Sequence, residues 1–240
     1  MLLQLENISL GFPNQPRLLS NANLLIENPG IIPLFGKNGV GKSVFLRALA
    51  GITHPIQGKI SIHNKTLIQL IPQEKAALAA YMSATPPTST NLSVEEIILT
   101  GRQRFISGIK SPSTHDYNAI ETALENTGIS SIKKYPFSEL SDGTKQKVML
   151  ARCLAQDSRI ILLDEPLAFL DYPTRIEFLK LLKIISQKNN KLIIYSSHDL
   201  GISIDQASAV LAINNQTLHF FTEPSQFSKD WLFPMNTYNI

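Results

Sequence analysis

The sequence predicts an α/β domain with a mostly parallel sheet and a helical insertion, and three observations carry that prediction. Apolar runs at Ile160-Ile161-Leu162-Leu163, Leu192-Ile193-Ile194-Tyr195 and Ala209-Val210-Leu211-Ala212-Ile213 alternate with helical patterns. Such alternation implies right-handed crossovers between parallel strands. An earlier run, Ile31-Ile32-Pro33-Leu34-Phe35, ends at Gly36 and opens a glycine-rich loop followed by a helical stretch. Between about Ala84 and Leu140 the spacing of apolar residues is helical, with no strand pattern.

Composition narrows the function classes. The chain has 240 residues, of which 43% are hydrophobic and 17% charged, a balance that excludes wholesale disorder. Lys and Arg number 22 against 19 Asp and Glu, a net charge of +3 with no basic arm or stripe, which argues against a nucleic-acid partner. Cys153 is the single cysteine, so no internal disulfide forms and a reducing cytosol is expected. No stretch approaches the roughly 18 apolar residues of a membrane span, and Met1 to Glu6 lack the basic and apolar regions of a signal peptide. A soluble, intracellular protein is the expectation.

Taken in order, Leu3 and Leu5 alternate with Gln4 and Glu6 as a half-buried opening strand. Pro13, Asn14 and Pro16 mark a loop, and Asn28-Pro29-Gly30 a turn. The run 31–35 reads as a buried strand, although Pro33 lacks the donor that a central ladder needs. Ser43 to Ala50 follows as a helix capped by Gly51. Lys59 to Asn64 reads as a strand and turn, and the loop 85–90 leads to Ser93 and Glu96, a capping box. Val94, Ile97, Ile98, Gly101 and Phe105 recur at helical spacing. A helix over Asp116 to Asn126 would put Tyr117, Ile120 and Leu124 on one face. Further helices are expected around Val148 to Ala155 and Pro173 to Ser186, and Asn214-Asn215 joins the last run to Thr217–Phe221 as a hairpin.

The chemistry concentrates in a few motifs. Gly36-Lys37-Asn38-Gly39-Val40-Gly41-Lys42-Ser43 fits the phosphate-loop pattern between a strand and a helix. Glycines let the backbone form a nest of N–H groups around phosphates, and the following helix adds unpaired donors at its start. Lys42 supplies a point charge, and the Ser43 hydroxyl can ligate Mg²⁺. The strand 160–163 ends in Asp164-Glu165, placing one carboxylate for the metal and one where an attacking water would sit. Leu140-Ser141-Asp142-Gly143-Thr144 opens a helix, where Ser141 is either an ordinary N-cap or part of a phosphate site. His54, His63, His115 and His219 lack metal-ligand partners at suitable spacing, and Cys153 reads as a small core residue.

The whole set resembles the ATP-binding cassette (ABC) family: a phosphate loop, a Leu-Ser-Gly-Gly-Gln-type signature, Asp164-Glu165-Pro166, a Leu170-Asp171 loop, and Ser197-His198-Asp199 after the next strand. The likeness runs from about Leu3 to Phe221. It implies an α/β P-loop NTPase core with a mostly parallel sheet, an antiparallel β subdomain and an inserted helical subdomain. One domain would span 1–240, with the nucleotide-binding core at 1–83 and 144–221, the helical subdomain at 84–143 and a tail at 222–240. Closer texture is similar to ATPases of iron–siderophore, haem or cobalamin importers: Asp142 in the signature, Leu92-Ser93-Val94-Glu95-Glu96, Gly101-Arg102 and Ala155-Gln156-Asp157.

The resemblance implies roles position by position. Phe12 would stack on adenine, the alternative being a plain core phenylalanine. Gly36, Lys37, Asn38, Gly39, Val40, Gly41, Lys42, Ser43 and Val44 would bind ATP, and Ser43 with Asp164 would hold Mg²⁺. Glu165 would polarise the water and His198 would contact the γ-phosphate. Ser141, Asp142 and Gly143 would reach the ATP of the opposite subunit, and Asp171 would lie across the dimer seam. Partners would be membrane permease subunits, a second ATP-binding subunit in a homodimer or heterodimer, and indirectly a substrate-binding protein. The site of action would be the inner face of the plasma membrane. Asp142 stands where the family has Gly, Thr144 where it commonly has Gln, and Ala84 where an apolar strand usually ends in Gln. Gln73 lies too far upstream to be that glutamine. Ala84 keeps open a structural subunit that hydrolyses weakly, whereas a DNA-repair or chromosome-organising ATPase would need a long heptad-rich insertion that is absent.

Overall fold

Two sheets and a helical layer share the chain in the computed structural model, which describes residues 1–13, 15–87, 90–106 and 111–228. Asn14 of the first loop, Thr88 and Ser89 of the second, and the tail beyond Ser228 lie outside the described residues. The first sheet is antiparallel, in the order β2-β1-β4-β5: β1 (Leu3–Leu10), β2 (Leu19–Ile26), β4 (Gln57–Ile62) and the short β5 (Lys65–Thr66). His63 and Asn64 join β4 to β5, both at positive φ.

The second sheet has the order β10-β9-β3-β8-β7-β6. Its strands are β3 (Gly30–Gly36), β6 (Ala79–Met82), β7 (Ile160–Leu163), β8 (Leu192–Ser196), β9 (Val210–Asn214) and β10 (Thr217–Phe221). All neighbours pair in parallel except the β9–β10 hairpin, turned at Asn215 and Gln216. Strands buried on both faces read as continuous apolar runs, and this sheet follows the rule. Ile32, Ile194, Ile160 and Leu162 face α1 (Lys42–Leu49) and the antiparallel sheet. Ile31, Ile193, Ile161 and Leu163 face the layer of helices.

Pro33 is accommodated by register. Ile31, two residues earlier on the same side, exchanges bonds with Ser208: its N–H donates to Ser208 Oγ at 3.3 Å and its C=O accepts from Ser208 N–H at 2.8 Å. Backbone groups alternate sides along a strand, so the missing donor of Pro33 faces β9. Registered pairing with β9 begins only at Leu34 opposite Leu211. The proline therefore sits just ahead of the ladder that it would interrupt.

The helical layer holds α3 (Val94–Leu99), α4 (Thr114–Thr127) and α5 (Asp142–Ala155), with α6 (Tyr172–Asn189) packed behind the sheet. Ser93 and Glu96 form the capping box of α3: Ser93 Oγ accepts from Glu96 N–H at 3.3 Å, and Glu96 Oε2 accepts from Ser93 N–H at 2.7 Å. Phe105 keeps that spacing but lies beyond the end of α3 and is exposed. On α4 the buried face is Asp116, Ile120, Ala123, Leu124 and Thr127, while Tyr117 points to solvent, which corrects the expected face. Helices α2 (Pro72–Leu78) and α7 (Leu200–Gln206) and strand β2 carried no sequence signal strong enough to predict them.

Arg102 pins this layer. Fully buried, it donates from Nε to Asp116 Oδ1 at 2.9 Å and from Nη1 to the Ala155 carbonyl at 2.8 Å, joining α4 to the end of α5. The Ser113 hydroxyl and N–H, together with Arg102, hold the Asp116 carboxyl down to about 2. A carboxylate depressed from its ordinary value near 3.8 contributes stability that is full above that value and lost as pH falls towards 2. Asp116→Asn should therefore cost about 2 kcal/mol at neutral pH, with the difference shrinking between pH 4 and pH 2. Denaturant unfolding of both proteins across that range measures it.

Candidate nucleotide and metal site

The functional groups converge because β7, β8 and β3 run parallel and end on one edge of the sheet. Ligands of open α/β sheets bind outside such carboxyl ends. Here the phosphate loop 36–43 runs from the end of β3 into the start of α1, the loop after β7 begins Asp164-Glu165, and the loop after β8 is Ser197-His198-Asp199. Ser197 N–H donates to Leu34 O at 3.2 Å, and Asp164 N–H donates to Met82 O at 2.9 Å, which extends the sheet up to the site.

The phosphate loop has the expected shape. Gly39 (φ 76°) and Gly41 (φ 107°) occupy the left-handed region open to glycine, and Gly41 precedes α1 as its N-cap. At Gly36 a Cβ would stand 2.7 Å from Val40 Cγ1 and 2.9 Å from the Ile213 carbonyl, so only glycine fits. Lys42 is buried and donates from Nζ to the Gly36 carbonyl at 2.8 Å and to that of Lys37 at 3.2 Å. Burial pushes its ammonium below the usual lysine range, while Glu165 and Asp164 oppose the shift.

A cavity of about 450 Å³ opens over this loop, lined by Phe12, Leu18, Asn38, Gly39, Gly41, Lys42, Ser43, Val44, Glu165 and His198. Phe12 is 50% exposed at the rim, which removes the alternative of a core phenylalanine. Glu165 stands at positive φ (48°), and its Oε1 lies 3.1 Å from His198 Nε2. Gly36, Lys37 and Val40 shape the loop from behind and do not line the cavity.

Asp164 is 2% exposed and accepts from Ser196 Oγ at 2.9 Å on Oδ1 and from Tyr81 OH at 3.0 Å on Oδ2. Among the described residues no cluster of three His, Cys, Asp or Glu could hold a metal. A single carboxylate with a neighbouring hydroxyl is the protein share of a Mg²⁺ site that is completed by substrate phosphates and water. Asp164 and Ser43 fit that donor set. Sequence reasoning missed Tyr81 and Ser196, because a tyrosine and a serine inside apolar strands carry no motif.

The signature lies elsewhere. Ser141 caps α5, accepting from Thr144 N–H at 3.3 Å and meeting Thr144 Oγ1 at 2.9 Å. Asp142 begins the helix, and a Cβ on Gly143 would come within 3.1 Å of Thr174 Cγ2, at the start of α6. Asp171 caps α6 by accepting from Thr174 N–H at 3.0 Å. None of Ser141, Asp142, Gly143 or Asp171 lines the cavity of its own chain.

The fold and the loop define a phosphate-loop nucleotide-binding domain with a carboxylate–histidine pair at the mouth of its site. The profile of the family described as ABC transporter matches residues 19–168. Curated relatives include the molybdate import ATP-binding protein MolC of Haemophilus influenzae, 31% identical over 91% of this chain and 81% of its own length. YusV of Bacillus subtilis, an ATP-binding protein assigned to a siderophore transport system, is 31% identical over 92% and 80%. Among solved structures, an inward-facing ABC transporter assigned to the metal-chelate type superposes with a TM-score of 0.84 at 28% identity, covering 97% of this chain and 87% of the other. The chain belongs to the ABC transporter family as an ATP-binding subunit, an ATPase whose kind dimerises and acts with transmembrane partners. No helix among the described residues is long and apolar enough to cross a membrane.

Lys42→Ala should lower ATP affinity by at least about 100-fold, since a desolvated charge-assisted contact is lost. Calorimetric titration, with circular dichroism to verify the fold, measures it. Unchanged affinity in a folded variant would remove Lys42 from the phosphate site.

Proposed function

We propose that this protein energises an importer, working at the inner face of the plasma membrane as a head-to-tail pair of ATP-binding subunits beneath two permease subunits. The observation that carries the reading is the convergence of Lys42, Glu165 and His198 on one cavity beside the buried carboxylate of Asp164. Its cargo class is an iron chelate, haem or cobalamin, supported by the Asp142-bearing signature and by a relative assigned to siderophore transport. A molybdate relative of equal identity makes cargo the first point to test.

Loop N–H groups and the Lys42 ammonium bind the β- and γ-phosphates, and Phe12 offers its exposed face to adenine. Ser43 and Asp164 would hold Mg²⁺, which when bound would neutralise phosphate charge. Glu165 orients the attacking water and accepts its proton as the bond from water oxygen to the γ-phosphorus forms and the bond from that phosphorus to the β,γ-bridging oxygen breaks, ADP leaving with that oxygen and its electron pair. His198, hydrogen-bonded to Glu165, fixes that carboxylate and offers its ring to the γ-phosphate. Catalysis of this kind is positioning and charge stabilisation. Ser141 and Gly143, which do not line their own chain's cavity, complete the site of the opposite subunit, with Asp171 at the seam. A second reading, a weakly hydrolysing structural subunit, is favoured by one observation only, Ala84.

Glu165→Gln should bind ATP normally, hydrolyse it at least about 100-fold more slowly, and accumulate as an ATP-bound dimer. Asp164→Asn should weaken Mg²⁺-dependent binding instead. Single-turnover kinetics with size-exclusion chromatography separate the two, and hydrolysis at the parent rate by Glu165→Gln would place the base elsewhere.

Ala84 bears on communication with the permease. It follows β6 between Ser83 and Thr85, which with Pro86, Ile97 and Arg152 help to line a groove of about 970 Å³ between the sheet and the helical layer. A methyl group cannot exchange between a metal and a docked permease segment, whereas water can complete the Mg²⁺ shell. Ala84→Gln should raise permease stimulation of ATPase activity severalfold with little change in ATP affinity. The complex co-purified with its membrane subunits and reconstituted, with siderophore-iron, haem, cobalamin or molybdate supplied, provides the measurement. Strong stimulation in the parent and no gain in the variant would shift the signal to Thr85.

A further inference from the structure

Two hydroxyls outside every recognised motif close on the carboxylate of Asp164. Ser196 stands at the end of β8 and is fully buried, and its Oγ donates to Asp164 Oδ1 at 2.9 Å. Tyr81 stands on β6, on the other side of β7, and its hydroxyl donates to Oδ2 at 3.0 Å. Neighbouring strands thus grip one carboxylate from both sides.

The direction of each bond is settled by a third group. Glu165 N–H, which can only donate, lies 2.7 Å from Ser196 Oγ. Arg47 Nε, also donor-only, lies 3.2 Å from the Tyr81 oxygen. Each hydroxyl therefore accepts on one side and has its proton left for Asp164. A phenol titrates at about pH 10, so the Tyr81 hydroxyl carries its proton at neutral pH. Each carboxylate oxygen retains lone-pair capacity, because an ionised carboxylate offers about four acceptor sites.

Ser196 does more than hold Asp164. The N–H that it accepts belongs to Glu165, whose backbone sits at φ 48°, a region costly for a residue with a Cβ. One hydroxyl thus fixes both the direction of the metal carboxylate and the turn that aims the next carboxylate at His198. Strained geometry of this kind persists only where surrounding bonds over-determine it.

We propose that Tyr81 and Ser196 are positioning residues that form a two-hydroxyl clamp on Asp164, presetting it for Mg²⁺, with Ser196 also presetting Glu165 for the water. The inference rests on Asp164 as the metal carboxylate and deepens that reading. Outer partners of metal ligands are commonly worth about 10- to 100-fold in metal affinity or activity.

The test uses the full chain, ATP, and Mg²⁺ varied from a chelator-treated baseline, with binding followed by calorimetry. Tyr81→Phe keeps the ring, and it leaves exposed Arg47 to water. It should raise the Mg²⁺ concentration for half-maximal enhancement of ATP binding about tenfold and leave metal-free ATP affinity unchanged. In an Asp164→Asn background the same change should add nothing, because the hydroxyl acts through that carboxylate. Ser196→Ala should in addition lower kcat about tenfold at saturating Mg²⁺, and Ser196→Thr should recover most of it.

The clamp is overturned if Tyr81→Phe leaves the Mg²⁺ dependence unchanged, or if metal-free and metal-dependent affinities fall together. Should Ser196→Ala fail to fold, the Tyr81→Phe titration decides alone. Asp164→Asn distinguishes the two levels. If it leaves the Mg²⁺ dependence untouched, the metal reading fails and takes the clamp with it. If it shifts that dependence and Tyr81→Phe does not, only the clamp fails.

Discussion

The parallel register of β7, β8 and β3 is the constraint on which the site depends. Because β8 lies between the other two and all three point the same way, their carboxyl ends meet on one edge. The chain contributes to that edge from three widely separated places, and no local interaction would bring them together. Burial of both faces fixes the register: a slip by one residue would exchange Ile193 with Ile194 and Ile161 with Leu162 between two different cores. The hydrophobic pattern therefore sets the separation of the phosphate loop from Asp164 and Glu165, and the polar residues inherit it.

Electrostatics at this edge are arranged for an incoming anion. Lys42 is buried, and two of its three N–H donors are already used on the Gly36 and Lys37 carbonyls. In the proposed function the third donor takes a phosphate oxygen, and the two carbonyls fix where it points. The burial that lowers the ammonium below its usual range would also strengthen the proposed attraction for phosphate, since charges interact more strongly where water is displaced. The acidic neighbours Glu165 and Asp164 oppose that lowering.

Most of this was legible in the sequence, for identifiable reasons. The phosphate loop was readable because Gly39 and Gly41 occupy backbone conformations that other residues resist, so composition reports geometry directly. Strands β3, β7, β8 and β9 were readable because burial on both faces demands unbroken apolar runs. Strand β2 was not, since its buried residues Leu19, Ala22, Leu24 and Ile26 are interrupted by polar ones and a bulged register. Helices α2 and α7 are short and bury few apolar residues, so no period emerges. Phe105 and Tyr117 share the helical spacing of apolar neighbours yet are exposed: α3 ends at Leu99, short of Phe105, and Tyr117 lies outside the buried residues of α4. The roles of Tyr81 and Ser196 were illegible because each depends on the identity of groups on neighbouring strands.

Helix α5 connects two regions that the sequence treats separately. It begins at the Ser141 cap, and its middle packs into the same core as α3, α4 and the β6–β7 face of the parallel sheet. Cys153 lies on that buried side, fully enclosed, with burial pushing its thiol up to about 11. It is the chain's one sulfhydryl, and in the closed molecule it offers an alkylating reagent neither access nor thiolate. Labelling at neutral pH then becomes a clock for the parting of the helical layer from the sheet. The protein carries its own reporter of internal opening, without an engineered probe.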